Sequence, residues 1–300
     1  MNFTTWGMTG SLTVEKQSVF SFAEERLWYW INAIDATCNR FDELSEASRI
    51  NTRTSNIVTL SPLMERVMVK ALSNSELTGG LCDPTVLPSL TALGYDRDYD
   101  LIKDRSEFAE DAHVLPVGAH QLVLDRSAHT LTLPAGCQLD LGATAKALTT
   151  DLVADDVMNA SGVVVEIGGD VSLRGRGAEG PWVVSIAEDL RPTGTEPRIT
   201  FTNGGVATSS SVVRTWKNGQ RNYNHIIDPR TGLCASSLYA TATVSAQDCA
   251  TANAFATAAL LWGDEAGYHI AQAGWSARLV RHDGTVDYVG GWPHDRKASA

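Results

Sequence analysis

HQLVLDRSAHTLTLPAGCQLDLGATAKALTTDLVADDVM, His120 to Met158, carries both periodicities on which the fold depends. From His120 to Gly142 apolar and polar residues alternate twice about a short turn, the period-two signature of a hairpin. From Gly142 onward the pattern becomes that of a helix, which stops near Ser161-Gly162. Strand hairpin and helix thus follow one another within a single stretch.

The same alternation continues on both sides. Upstream, MTGSLTV (residues 8 to 14) reads as a strand. Residues 22 to 44 read as a helix with Leu27, Trp30, Ile31, Ile34 and Phe41 on one side. Ser61 before Pro62 is an N-cap with proline at the first helical position. Downstream, GVVVEIGGDVSLRG reads as a buried strand broken by Gly168-Gly169, and PWVVSIA as another strand. Arg191 to Arg198 reads as an exposed loop. Strands follow at GVATSSS, near YNHIID and at YATATVSA, ahead of a small-residue helix, DCATANAFATAALLWG. A short helix near Asp264 to Ala273 and a hairpin turned by Asp283-Gly284 finish the chain. Strands outnumber helices and several join as hairpins, so the expected fold is α+β with largely antiparallel sheet. With no tandem repeat and no linker, residues 1–300 are expected to form one domain.

The bulk properties narrow the function. A net charge of -11 argues against nonspecific nucleic-acid binding, which needs clustered lysine and arginine. The five cysteines are scattered and form no CxxC pair, which points to reduced thiols rather than a disulfide scaffold or zinc site. Without a basic, apolar N-terminal leader or an apolar run long enough to span a bilayer, the expectation is a cytoplasmic protein with no membrane span.

Five constellations could carry chemistry. In LDLGATAKALTTD, Asp140 and Gly142 stand at a strand-to-helix junction, where backbone N–H groups can receive an anion, with Lys146 about a turn further on. An aspartate capping a helix and a lysine on a solvated face explain the same residues. The glycines of VVVEIGGDV allow positive φ or a close approach, or else a bulge. NHIIDPRTG, Asn224 to Gly232, either presents His225, Asp228 and Arg230 at a site or is a tight turn; its density of polar residues favours the site. GLCDPT is a turn with one carboxylate, Asp83. In the small-residue helix, Asn253 and Thr257 are four residues apart and share a face. They offer neutral oxygens only, and chemistry alone favours a polar contact between packed helices there over a metal site.

Taken in order, FDELSEASRIN, LTGGLCDPTVLPSL, LDLGATAKAL, VVVEIGGDV, NHIIDPRTG and AFATAALL make the chain similar to the FAD:protein FMN transferases, the ApbE-type flavin transferases. The resemblance runs from Met8 to the last long helix. It implies that FAD and Mg²⁺ are bound and that FMN is transferred to a threonine hydroxyl of a target protein, with release of AMP. By motif position it places Met8, Leu81, Cys82, Asp83, Asp140, Lys146 and Ile226 at the cofactor. His225 and Lys146 would stand near the reacting groups, Lys146 toward phosphate and His225 to assist proton transfer. The metal would be held by the Ala143 carbonyl, Asn253 and Thr257.

The chain also departs from the family pattern. Asn253 stands where the family has aspartate. The opening MGT is Met8-Thr9-Gly10, FDPT is Cys82-Asp83-Pro84-Thr85, and Ser-Gly-x-Tyr is Ser209-Ser210-Ser211-Val212. An amide keeps one ligating oxygen and loses the charge, which weakens Mg²⁺ binding. Two further readings therefore stand beside the transferase: an FAD-binding protein of the same fold that does not transfer, and a pyrophosphatase splitting FAD into FMN and AMP.

Overall fold

Alternating burial in Val163–Ile167 follows directly from its run of β-branched residues: Val163, Val165 and Ile167 face inward. The computed structural model describes residues 1–104, 113–187, 196–218 and 221–295; positions 191 to 195 of the expected exposed loop lie outside the described residues. The described chain is α+β, as the sequence predicts, and it groups into two compact units. Each unit is discontinuous in sequence, so no linker marks a boundary.

The first unit comprises residues 1–31, 146–209 and 238–300. Its frame is an eight-stranded sheet in the order Asn2–Thr5, Met8–Val14, Val163–Ile167, Asp170–Arg174, Gly204–Ser210, Tyr239–Ala246, Ser276–Arg281, Val286–Val289. The registers from Asn2–Thr5 through Gly204–Ser210 are antiparallel, as are those from Tyr239–Ala246 to Val286–Val289. Against it lie Leu27 and Ile31 with Val153, Ala154 and Val157, closing a core with Leu12, Val163, Val165 and Ile167. Each fully buried leucine or isoleucine of that core contributes about 1.5–3 kcal/mol.

The helix Cys249–Trp262 is apolar nearly all round, with twelve of its residues buried, as a core helix must be. Asp248 caps it by accepting from the Thr251 N–H at 2.7 Å. A second carboxylate arrives from far away in sequence: Asp151 accepts from the N–H groups of Cys249 at 2.9 Å and Ala250 at 3.0 Å. Gly205 makes the close seating possible, because a Cβ there would stand 2.1 Å from the Cys249 nitrogen.

The second unit comprises residues 32–145 and 210–237. It contains the helix Pro62–Leu77, capped by Ser61, whose hydroxyl accepts from the Met64 N–H. The expected hairpin appears as Val123–Asp125 with Thr130–Thr132, extended by Ile57–Thr59. A second core joins Leu90, Leu93, Tyr95, Ile102, Trp216, Tyr223 and Ile227.

Two sequence expectations change. The first long helix ends at Cys38 rather than near residue 44. Asn39 turns the chain there: its side-chain oxygen accepts from the Phe41 N–H at 2.9 Å, and its amide donates to Asp35, an Asx turn that competes with the helix. GVVVEIGGDVSLRG is not one broken strand but two strands in a hairpin, pairing Ile167 with Asp170 across Gly168-Gly169. Both glycines have positive φ, +57° and +86°, the requirement of a two-residue type I′ loop. Gly168 has a second constraint, since a Cβ would lie 2.5 Å from the Met8 sulfur.

Candidate active site

In the first unit, five of the residues flagged by sequence come together around one that was not. Asp170 follows the Gly168-Gly169 turn and is fully buried. Lys146 Nζ lies 3.1 Å from its Oδ2 and 3.4 Å from the Gly168 carbonyl. The Asn253 amide donates to both of its oxygens, at 3.1 and 3.2 Å. Met8 packs over Gly168. Lys146 is therefore half-buried rather than on a fully solvated face, its ammonium turned onto the buried Asp170 carboxylate.

Asn253 is itself 6 % exposed. Its NH₂ faces a carboxylate, which fixes the orientation of the amide, because an oxygen in that position would be repelled. The carbonyl oxygen then points the other way, buried and with no hydrogen-bond partner among the described residues. One turn on, the Thr257 hydroxyl meets Ser209 Oγ at 3.1 Å, where the family pattern has Ser-Gly-x-Tyr. An orphaned carbonyl oxygen beside a hydroxyl on one helix face fits a hard cation, which takes oxygen ligands. Among the described residues no three His, Cys, Asp or Glu side chains cluster to hold a metal. A Mg²⁺ ion on Asn253 and Thr257 would lean on neutral oxygens and on phosphates brought by a ligand.

In the second unit, the FDELSEASRIN segment proves to be a clamp. Asn51 holds the Leu139 backbone in both directions, accepting from its N–H at 2.7 Å and donating to its C=O at 2.9 Å. Arg53 donates to the carbonyls of Cys137 and Pro134 at 2.7 and 2.8 Å. Arg40 Nε pairs with Asp140 Oδ2 at 2.8 Å, both side chains largely buried, while its guanidinium lies over Phe41 and Tyr95. The other oxygen of Asp140 accepts from the Gly142 N–H at 2.9 Å, so this aspartate does the capping work foreseen as one alternative. Ala143 follows in the first turn of the helix Gly142–Val157.

The LTGGLCDPT loop is tied down as well. Asp83 accepts from the N–H groups of Thr85 at 2.7 Å and Ala119 at 2.9 Å, and Pro84 accepts from the Asp140 N–H at 2.8 Å. Leu81 and Cys82 are buried, and burial, with the Asp83 charge behind it, pushes the Cys82 thiol up to about 12. In NHIIDPRTG the turn reading prevails for two of three residues. Arg230 closes back on Asp228 at 2.7 and 2.9 Å, and the Thr231 and Gly232 N–H groups reach the Asp228 carbonyl. Despite partial burial, these bonds from Arg230 hold the Asp228 carboxyl below the usual range. His225 stands half-buried between the strands Arg221–Asn224 and Ile227–Asp228. Ile226 is buried, its N–H bonded to Asn224 Oδ1 and its carbonyl to the Ala235 N–H.

Sequence reasoning missed Asp170, Arg40 and Asn51. The last two lie in or beside a quoted motif, and Asp170 is the residue after the flagged glycine pair. None announces its partner by spacing.

The chain is 26% identical over 276 residues to the FAD:protein FMN transferase of Haemophilus influenzae, covering 88% of this chain and 78% of that one. It is 30% identical over 259 residues to the enzyme of the same name from Treponema pallidum, covering 76% and 67%. The fold superimposes on the crystal structure of the ApbE protein from Thermotoga maritima with a TM-score of 0.82, at 24% identity and 96% coverage of both chains. The flavin transferase ApbE from Vibrio cholerae gives 0.75, again at 24% identity with 96% coverage of each. The family model described as the ApbE family matches residues 6–279, and the chain belongs to that family.

Proposed function

We propose that this chain is an FAD:protein FMN transferase that uses Mg²⁺, joins FMN to a threonine hydroxyl of a target protein and releases AMP. Both units serve that one function in this reading, and a cytoplasmic target fits the sequence. Its enzyme relatives support the transfer; the observation that carries the metal is the buried, partnerless Asn253 Oδ1 one turn from Thr257.

In the reaction the threonine oxygen bonds to the phosphorus on the FMN side of the pyrophosphate. The bond from that phosphorus to the bridging oxygen breaks, and the electron pair leaves with AMP. The hydroxyl proton passes to a base, the role the resemblance gives His225. Mg²⁺, when bound, supplies charge neutralisation at the pyrophosphate, the main requirement of phosphoryl transfer. Asn253 and Thr257 would hold it by oxygen; the resemblance adds the Ala143 carbonyl as a ligand. Lys146, anchored by Asp170, presents a fixed cation toward the phosphates. Asp140, fixed by Arg40 and by the backbone clamp of Asn51, holds the start of the helix Gly142–Val157. Met8, Leu81, Cys82, Asp83 and Ile226 keep the cofactor contacts that the resemblance assigns them.

Incubation with FAD, with and without Mg²⁺, followed by chromatography of FAD, FMN and AMP, tests the reading. AMP that appears only with Mg²⁺ is the expected result. Intact FAD that stays bound under both conditions would replace the transferase with a flavin-binding protein of the same fold.

A further inference from the structure

Replacing an aspartate ligand by Asn253 removes a negative charge from the proposed metal position, yet a carboxylate lies one hydrogen bond away. Asp170 is fully buried and takes both of its contacts with Asn253 through the NH₂ group. That geometry has two consequences. It forbids the flipped amide, since the flipped form would set an oxygen against the carboxylate. It also commits Asn253 Oδ1 to the opposite side, where it is buried without a partner among the described residues, at a cost of about 1–3 kcal/mol unless something electropositive meets it.

We propose that Asp170 is a positioning residue of the metal site, which locks Asn253 with its carbonyl oxygen toward Mg²⁺ and supplies from behind that amide the negative charge Asn253 lacks. The inference rests on the metal reading above. Hydrogen-bonding partners that orient a ligand and raise its basicity are a general feature of metal sites, and their loss typically weakens metal binding about 10–100-fold. Here the loss is reinforced: without the carboxylate, the Lys146 ammonium, now 3.1 Å from Asp170, would lose that partner beside the proposed metal position.

The test is a Mn²⁺ titration followed by electron paramagnetic resonance, on the full chain with FAD present, for the unaltered protein, Asp170→Asn, and the exchange variant Asp170→Asn/Asn253→Asp. The single variant should bind Mn²⁺ at least tenfold more weakly. The exchange variant keeps one amide facing one carboxylate and moves the charge onto the ligand, so it should recover affinity to within about threefold of the unaltered protein or exceed it. Equal affinity in Asp170→Asn and the unaltered chain, or an exchange variant as weak as the single one, would overturn the proposal. If Asp170→Asn does not fold, the exchange variant decides alone: affinity well below the unaltered chain counts against the proposal. Failure of the unaltered chain to bind Mn²⁺ at all would remove the metal reading itself, a result distinct from unequal variants.

Discussion

Asn253→Asp restores the family residue, and the structure gives it an unexpected cost. The Asn253 NH₂ donates to both oxygens of the buried Asp170 carboxylate at 3.1 and 3.2 Å. Aspartate would exchange those donors for a second carboxylate oxygen. Hydrogen bonds to charged groups contribute about 1.5–3 kcal/mol, and two like charges 3.1 Å apart repel by about 5 kcal/mol at an effective dielectric constant of about 20. Binding a proton at neutral pH costs a carboxyl of ordinary acidity about 4 kcal/mol, so the pair shares a proton and the loss settles at about 3–4 kcal/mol. With unfolding entropy of about 2.1 cal/mol/K per residue over the 300-residue chain, Tm should fall by about 5–6 °C in EDTA. Saturating Mg²⁺ removes the need for the proton and should raise the variant's Tm by more than it raises that of the unaltered protein. Differential scanning calorimetry in EDTA and in Mg²⁺ measures both. A variant with unchanged Tm in EDTA, or with no larger response to Mg²⁺, would refute the account of this cluster.

Other perturbations probe other parts of the structure. Lys146→Ala strips the cation from buried Asp170; allowing for the partial exposure of Lys146, it should cost about 2–3 kcal/mol and lower Tm by about 4 °C, besides weakening FAD binding. An unchanged Tm would return Lys146 to a solvated face. Gly205→Ala drives a Cβ to 2.1 Å from the Cys249 nitrogen, beyond what side-chain adjustment can relieve. It should cost at least about 3 kcal/mol or leave the protein insoluble; normal yield and Tm would contradict the close seating of the helix. Four of the five cysteines are buried and Cys234 is partly exposed. Burial pushes Cys137 up to about 11 and Cys82 to about 12, so at pH 8 one thiol should react quickly with Ellman's reagent and all five after denaturation. Several fast thiols in the native protein would contradict the core.

Local chemistry was legible in the sequence where the partners are near neighbours. Ser61 caps the helix it precedes, and Asp283-Gly284 turns the last hairpin. YATATVSA is a strand over the full quoted range. Pairings across long stretches of chain were not legible. Met8–Val14 lies beside Val163–Ile167, and Asp151 caps a helix that starts 98 residues later. A turn signal also hides its own outcome: Gly168-Gly169 is compatible with a bulge or a hairpin, and only the neighbouring strand decides. Asn253 and Thr257 were visible on one helix face, where only the resemblance assigned a metal, but the carboxylate behind Asn253 was not, because a residue on a strand has no fixed sequence spacing to a residue on a distant helix. Arg40 and Asn51 are invisible for the same reason: Arg40 pairs with the distant Asp140 carboxylate and Asn51 with the distant Leu139 backbone.

The most direct measurement is covalent flavin on an acceptor. The protein is incubated with FAD and Mg²⁺ and a randomised, threonine-containing peptide library, and the peptides are read by mass spectrometry. Peptides carrying FMN on threonine, formed with an equal amount of AMP and lost in EDTA, are the predicted result. Free FMN and AMP with unmodified peptides would contradict transfer and leave a pyrophosphatase in its place.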